Sequence, residues 1–469
     1  MRYLHTRLTK FRYMPEKSTG LIKVILIQAA SLILFWLIFS VLQSPSVYHN
    51  SLGLISNNWT NENGERKQVN EPYIQLSDDN YVQWDGDHYE QIKNHGYDTV
   101  SSNGEYIYAF FPLFPLIWKI SGLPSIGILF LNYLFFSISI LLLLNLSERK
   151  SFLINAILSL SLPGLVIFLI PYTEATFMLF ISLGVYGFIK NKYWVYFIAF
   201  LLASLTRPTF TFIALSILCV EIFFLLSHKK IRTTIVNFLL RVAPLIVGTF
   251  LVPVIQNSES PFQFLAVQKY WENALTIPTG LKDWSHEGFG INLSVIFLIS
   301  IPLLYLLIKS FIRIIKKGKP VIPLEYRNPK DYLVLLSVFY LVGITMYILL
   351  FRGGSLHCLF RFTICSPFTY ILLYSAFEYI ERTNYENRLL IALPALVGLA
   401  TFFLAEYSRF FDFTDLGFFI LSGAIGIWLF QDRISVRLKT ISLITLLVIN
   451  LIWTTYLFNS YISNSWIFA

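Results

Sequence analysis

Charge is what this chain has least of. Asp, Glu, Lys and Arg make up 13% of its 469 residues, about half the share of an ordinary soluble domain. That scarcity excludes a soluble globular protein. With 55% hydrophobic residues and a mean hydropathy of +0.62, it points to an all-α polytopic membrane protein. Cysteine is scarcer still: Cys219, Cys358 and Cys365 lie in or beside apolar runs with no metal-ligand spacing, and read as small core residues. The formal charge of +9 comes from short basic clusters between apolar runs rather than from one basic face. Such clusters report membrane topology and argue against a nucleic-acid partner.

A helix spanning a bilayer needs about 20 apolar residues. Candidate spans are 21–42, 122–145, 152–170, 172–189, 193–206, 209–227, 236–255, 291–312, 332–351, 358–378, 388–405, 415–430 and 440–458. This gives about thirteen, or eleven if short segments merge or re-enter. Residues 1–20 form a basic N-terminus, and 21–42 is too long for a signal-peptide core, so it reads as a retained first span. Arg2, Arg7, Lys10, Arg12, Lys17 and Lys23 against a single Glu16 place that N-terminus in the cytoplasm. Alternate loops agree: Arg149 with Lys150, Lys190 with Lys192, Lys229 with Lys230, Arg313 to Lys319 and Arg433 to Lys439 fall on the same side. The remainder, 21–469, reads as one membrane domain.

The other side is acidic. Loop 43–108 holds ten Asp or Glu against Arg66, Lys67 and Lys93, so it is expected outside the cytosol, and loops this long are usually functional or disordered. Asn58-Trp59-Thr60 within it is a sequon that matters only in a eukaryotic secretory compartment. From Trp84 to His95 the spacing predicts a short interfacial helix, started by Asp85 or Gly86 and ended by Gly96. Asp85, His88 and Tyr89 then face one cavity. Pro112 and Pro115 predict an irregular, re-entrant return from Phe110 to Lys119. The functional insert thus runs over 43–121, with a second outer loop at 256–290 carrying Gln268, Tyr270 and Trp271.

Acidic residues in exposed loops are usually just solvated. Here Asp85 and Asp87 are flanked by Trp84, His88 and Tyr89, and cations converge on the same side. One carboxylate can take the proton of an attacking hydroxyl while the other holds the acceptor. Asp85 and Asp87 could instead hold a divalent metal through hard oxygens, so a metal cofactor stays open. Pro171-Tyr172-Thr173-Glu174 breaks an apolar stretch and puts a carboxylate at the outer surface. Arg207, Arg352, His357 and Arg361 sit at outer ends of spans. Charges near hydrocarbon are functional candidates; these either snorkel to the interface or grip a phosphate through charge-assisted hydrogen bonds. Together they suit a reaction in which a carboxylate activates a hydroxyl and cations stabilise a departing lipid phosphate.

Trp84-Asp85-x-x-His88-Tyr89, Gly96-Tyr97 and Ala109-Phe-Phe-Pro-Leu-Phe-Pro115 resemble the first luminal loop of the GPI-anchor mannosyltransferase II (PIG-V type) family and its bacterial relatives. Pro171 to Phe177 is similar to the family's Pro-Tyr-Ser-Glu-x-x-Phe, and Gln268, Trp271 and Pro278 resemble bacterial members. The resemblance covers most of the chain in order, and the first-loop motif is its most specific part. It implies a GT-C glycosyltransferase fold with a site facing away from the cytosol, a polyprenyl-phosphate-linked hexose donor, commonly mannose, and inversion at the sugar. It also implies Asp85 as catalytic carboxylate beside Asp87 and His88. Trp84, Tyr89, Tyr172, Glu174, Arg207, Gln268, Trp271, His357 and Arg361 are then expected around the substrates. Arg207 is followed by Pro208-Thr209-Phe210 where the family carries Ser-Asn-Gly, which leaves the acceptor open among lipid-linked, glycan and glycoprotein hydroxyls. The Lys, Asn, Ile and Phe-rich usage favours a bacterial cytoplasmic membrane over an endoplasmic reticulum. Two other readings are a transporter or flippase of lipid-linked glycans, with polar groups lining a path through the bilayer, and an inactive scaffold.

Overall fold

The computed structural model describes residues 14–43, 76–100, 104–147, 152–208, 210–228, 231–271, 276–278, 280, 289–317, 324–326, 328–381, 388–389, 392–393, 416–464 and 467. Most of loop 43–75, with its sequon, and nearly all of the expected span 388–405 lie outside them. Among the described residues the secondary structure is helical, with no strand. The chain is an all-α membrane protein. Among the described residues six helices are long and apolar enough to cross a bilayer: Gly20–Leu42, Ser125–Leu146, Ile231–Gln256, Gly290–Lys316, Pro329–Leu350 and Val436–Ile462. Five shorter apolar helices accompany them.

In chain order the principal helices are α1 Met14–Leu42, α2 Asp85–His95, α3 Leu113–Ser121, α4 Ser125–Leu143, α5 Phe152–Ser161, α6 Glu174–Ile189 and α7 Tyr193–Ser204. They continue with α8 Phe210–His228, α9 Ile231–Gln256, α10 over 289–317 with a π-turn at Ile296–Ser300, and α11 Pro329–Phe351. The last are α12 Leu359–Thr363, α13 Pro367–Glu381, α14 Leu416–Phe430 and α15 Val436–Ile462. Helices α4, α6, α7 and α9 pack in succession, α8 joins α9 to α11, and α15 closes the bundle against α1, α5 and α14. The outer faces are apolar: Leu26, Val254 and Ile315 are exposed. On a soluble protein such surface would be a liability, whereas lipid covers it here.

Three expected elements differ from the structure. The span 152–170 is two pieces, because α5 stops before Pro163 and the chain turns at Gly164 with φ 101° before a 3-10 segment, Leu165–Leu169. Proline ends the ladder and leaves carbonyls without amides. Asn450 of α15 supplies the missing donors, its side-chain amide lying 2.8 Å from the Leu160 carbonyl and 3.1 Å from that of Leu162. Likewise 358–378 is broken between α12 and α13, with Pro367 opening the second helix. The return 110–119, expected to be irregular, is regular from Leu113 onward. Pro115 is the third residue of α3, where an amide has no intrahelical partner anyway, so its ring is tolerated.

Candidate functional site

The loop that carries Asp85 is tied to the bundle at several points. Ser77 opens a 3-10 turn, Asp78–Tyr81, and the Asp78 carboxylate accepts from the first amides of α4, Ser125 at 3.0 Å and Ile126 at 3.3 Å. Burial works against that charge, but these hydrogen bonds hold the Asp78 carboxyl below its usual value. Helix α2 then runs from Asp85 to Gly96 as its spacing predicts. Its N-cap, however, is Trp84 at φ 55°, not Asp85 or Gly86. Asp85 occupies the first helical position, so its side chain is not consumed by capping and is free to reach outward.

What it reaches is Arg361. Arg361 Nη1 donates to Asp85 Oδ2 at 2.7 Å, and its Nε donates to Glu174 Oε1. Arg207 Nη1 lies 3.0 Å from the same Glu174 oxygen. Four charges from α2, α6, α12 and the turn after α7 therefore meet in one formally neutral cluster. Glu174 is fully buried, Arg207 and Arg361 nearly so, and the Asp85 side chain keeps 26% of its surface exposed. The expected surface position of Glu174 is thus corrected. A carboxylate at the start of α6 can be sealed from water because two guanidiniums repay its desolvation. Glu174 Oε2 has no hydrogen-bond partner among the described residues.

Aromatic rings set the arginines. The Arg361 guanidinium lies 4.6 Å over Tyr172, and that of Arg207 lies 4.9 Å from Phe362 and 5.8 Å from Phe177. Cation–π contacts of this kind orient a guanidinium without neutralising it. Helix α12 is held in register by Asn292 of α10, whose side-chain oxygen accepts from the Phe360 amide at 2.9 Å. Arg361 therefore stands on a fixed element.

The other sequence candidates divide. Tyr89 is buried against Phe110 and Phe114 and secures α2. His88 packs against an aromatic wall, with ring centroids 5.0 Å from Tyr106 and 4.4 Å from Phe110. Its Nδ1 is buried with no hydrogen-bond partner, and burial lowers its pKa against the opposing pull of Asp85. His88 and Tyr89 share the Phe110 ring, and both also feel the charge of Asp85, with Tyr89 reaching Glu174 and Arg361 as well. Asp87 is exposed; crowding by surrounding protein, then the charge of Glu90, pushes its carboxyl up to about 6. Trp84 is 39% exposed beside Asp85.

Gln268 lies in the 3-10 segment Val267–Trp271, which packs on the turn Glu105–Ala109, and its side-chain amide donates to the Phe264 carbonyl at 3.1 Å. Trp271 ends that segment, its side chain lying outside the described residues. His357 is half-buried in the turn leading to α12. Among the described residues no group of three or more His, Cys, Asp or Glu converges; Asp85 is paired with Arg361 and Asp87 is exposed.

Two features escaped the sequence reading. Tyr461, at the end of α15, hydrogen-bonds the backbone of Gln83. A second buried ion pair, Glu221 with Arg241, lies far along α8 and α9 from the cluster at Asp85. A lone carboxylate inside the apolar run of α8 is a signal in its own right, whereas nothing in the spacing marks Tyr461. No family model, curated protein or solved structure matches the chain.

Proposed function

We propose that this chain is an inverting, membrane-embedded hexosyltransferase of GT-C type with about thirteen spans. It moves a hexose, mannose by the family resemblance, from a polyprenyl phosphate to a hydroxyl of a lipid-linked, glycan or glycoprotein acceptor on the non-cytosolic face. The observation that carries this reading is the Asp85–Arg361 pair: a partly exposed carboxylate held by a guanidinium whose other edge is locked to buried Glu174.

While paired, Asp85 has its Oδ2 occupied by Arg361. A phosphate anion entering the cluster competes with Asp85 for Arg361 Nη1, because guanidinium binds phosphate with the same forked geometry as carboxylate. Glu174 keeps the Arg361 Nε edge in place during that exchange, and Arg207 keeps Glu174 neutralised. Freed from Arg361, Asp85 accepts the proton of the acceptor hydroxyl as its oxygen bonds to the anomeric carbon. The bond from that carbon to the phosphate oxygen breaks, and the electron pair leaves on the lipid phosphate, stabilised by Arg361. Exposed Trp84 offers a face on which a sugar ring can stack, and His88 packs against the rings of Tyr106 and Phe110 nearby.

Purified protein incubated with a panel of polyprenyl-phosphate sugars and membrane extracts should yield a new glycosidic product by mass spectrometry. Movement of lipid-linked label across vesicles without any new glycosidic bond would replace this reading with the transporter.

A further inference from the structure

We propose that Tyr461 is a positioning residue for Asp85: it pins the start of α2 to the arginine cluster from the far C-terminal end of the chain. The inference rests on the transferase reading for its kinetic consequence, and on geometry alone for the pin.

The Tyr461 hydroxyl accepts from the Gln83 amide at 2.9 Å and donates to the Gln83 carbonyl at 3.0 Å. One side chain thus satisfies both polar groups of a single loop residue, 378 positions away in sequence. That residue immediately precedes Trp84, whose positive φ turns the chain into α2. A non-glycine residue holds such a conformation only where its surroundings determine it, and the double hydrogen bond is what fixes the peptide on its N-terminal side. The Tyr461 ring is fully buried and meets Tyr172 edge to face, with centroids 6.0 Å apart and planes at 82°. Tyr172 in turn carries the Arg361 guanidinium on its face. A closed circuit results: Gln83 to Tyr461, Tyr461 to Tyr172, Tyr172 to Arg361, Arg361 to Asp85, and Asp85 back along the chain to Gln83.

The fit is close on the other side as well. A Cβ at Gly86 would stand 3.0 Å from Pro171 Cγ and 3.2 Å from the Tyr461 hydroxyl. A side chain there would have to push Pro171 or Tyr461 back by a few tenths of an ångström. Loop, Pro171–Tyr172 turn and α15 are therefore packed as a unit, with the hydroxyl of Tyr461 tying α15 to the backbone of Gln83, whose carbonyl also accepts from the Gly86 amide at 3.0 Å.

The test uses the full chain in detergent with two replacements. Tyr461→Phe removes the hydroxyl and keeps the ring; Tyr461→Leu removes both. Amide hydrogen exchange over 81–89 should quicken about tenfold in Tyr461→Phe, on the scale of one lost hydrogen bond, with exchange elsewhere unchanged. Transfer should lose about a hundredfold in kcat, the scale of a small misplacement of a reacting group, with donor KM unaltered. Tyr461→Leu should raise donor KM too, because Tyr172 and Arg361 lose their support. Unchanged exchange over 81–89 in Tyr461→Phe overturns the pin. Quickened exchange with unaltered kcat overturns the positioning role. If the wild-type protein transfers no sugar, the transferase reading falls, and the exchange measurement still decides the pin.

Discussion

Two of the buried ion clusters among the described residues, around Glu174 and around Glu221, are built from nearly the same residue types and finished differently. Around Glu221 both carboxylate oxygens have partners. Its Oε1 accepts from Arg241 and from the Tyr332 hydroxyl at 3.2 Å, and its Oε2 accepts from Tyr326 at 2.9 Å. Arg241 is boxed by the rings of Tyr332, Phe188 and Tyr326 at 4.0, 5.2 and 5.5 Å. Around Glu174, Oε2 has no hydrogen-bond partner among the described residues, and Arg361 reaches a carboxylate still partly open to solvent. Saturation marks a cluster that ties helices together, and an open valence beside an accessible charge marks one that can exchange partners. Residue identity alone does not separate them.

The contrast is sharpest in Asp85→Asn set beside Glu221→Gln. The first should lower transfer about a thousandfold, within the range of a lost general base, and cost less thermal stability than the second, because Asp85 is partly open to solvent and Arg361 keeps Glu174. The second should do the reverse: a buried arginine left without its counter-charge costs about 3–5 kcal/mol, read as a lower unfolding midpoint, while the surviving folded fraction keeps its specific activity. Equal loss of activity per folded molecule in both variants would erase the distinction between the clusters.

A smaller effect is expected at Arg361→Lys. Lysine keeps the charge but cannot hold Glu174 and a phosphate through one rigid fork. Donor affinity should weaken about tenfold, one charge-assisted hydrogen bond, in an equilibrium binding measurement; the equivalent Arg241→Lys should not alter donor binding at all.

Smallest is the pH response of Asp87. Its carboxyl is raised from 3.8 to about 6, so the folded chain binds this proton more tightly than the unfolded one. The associated stability is fully present below pH 3.8 and lost as pH rises through about 6. Because the side chain is exposed, screening holds the contribution under about 1 kcal/mol. Asp87→Asn should flatten that part of the stability profile and leave transfer nearly intact; an undiminished slope would show that another group titrates there.

Much of this was legible from residue order. Low charge and long apolar runs give the membrane class, and the spacing from Asp85 to Gly96 gives α2. Glu174, Arg207 and Arg361 are each conspicuous as charges at the ends of apolar segments. What the sequence withheld is who meets whom. Arg361 lies 276 residues from Asp85 and 187 from Glu174, separations over which no periodicity carries information. A reading one residue at a time therefore gave the arginines to a phosphate and the carboxylates to water, whereas in the folded chain they first satisfy each other. The break at Pro163 was visible as a proline, but its acceptance inside the bundle depends on Asn450, which only the packing of α15 brings near. The regular start of α3 was misjudged because proline was weighed as a breaker rather than as a first-turn residue.

The central claim is that Asp85 and the donor phosphate compete for one edge of Arg361. Donor binding and single-turnover transfer, measured on the same preparation of Asp85→Asn, test it directly. The account predicts transfer lost while the polyprenyl-phosphate sugar binds as tightly as to the wild type or more tightly, because the competing charge is gone. Donor affinity that falls together with transfer, or transfer that persists, would contradict it.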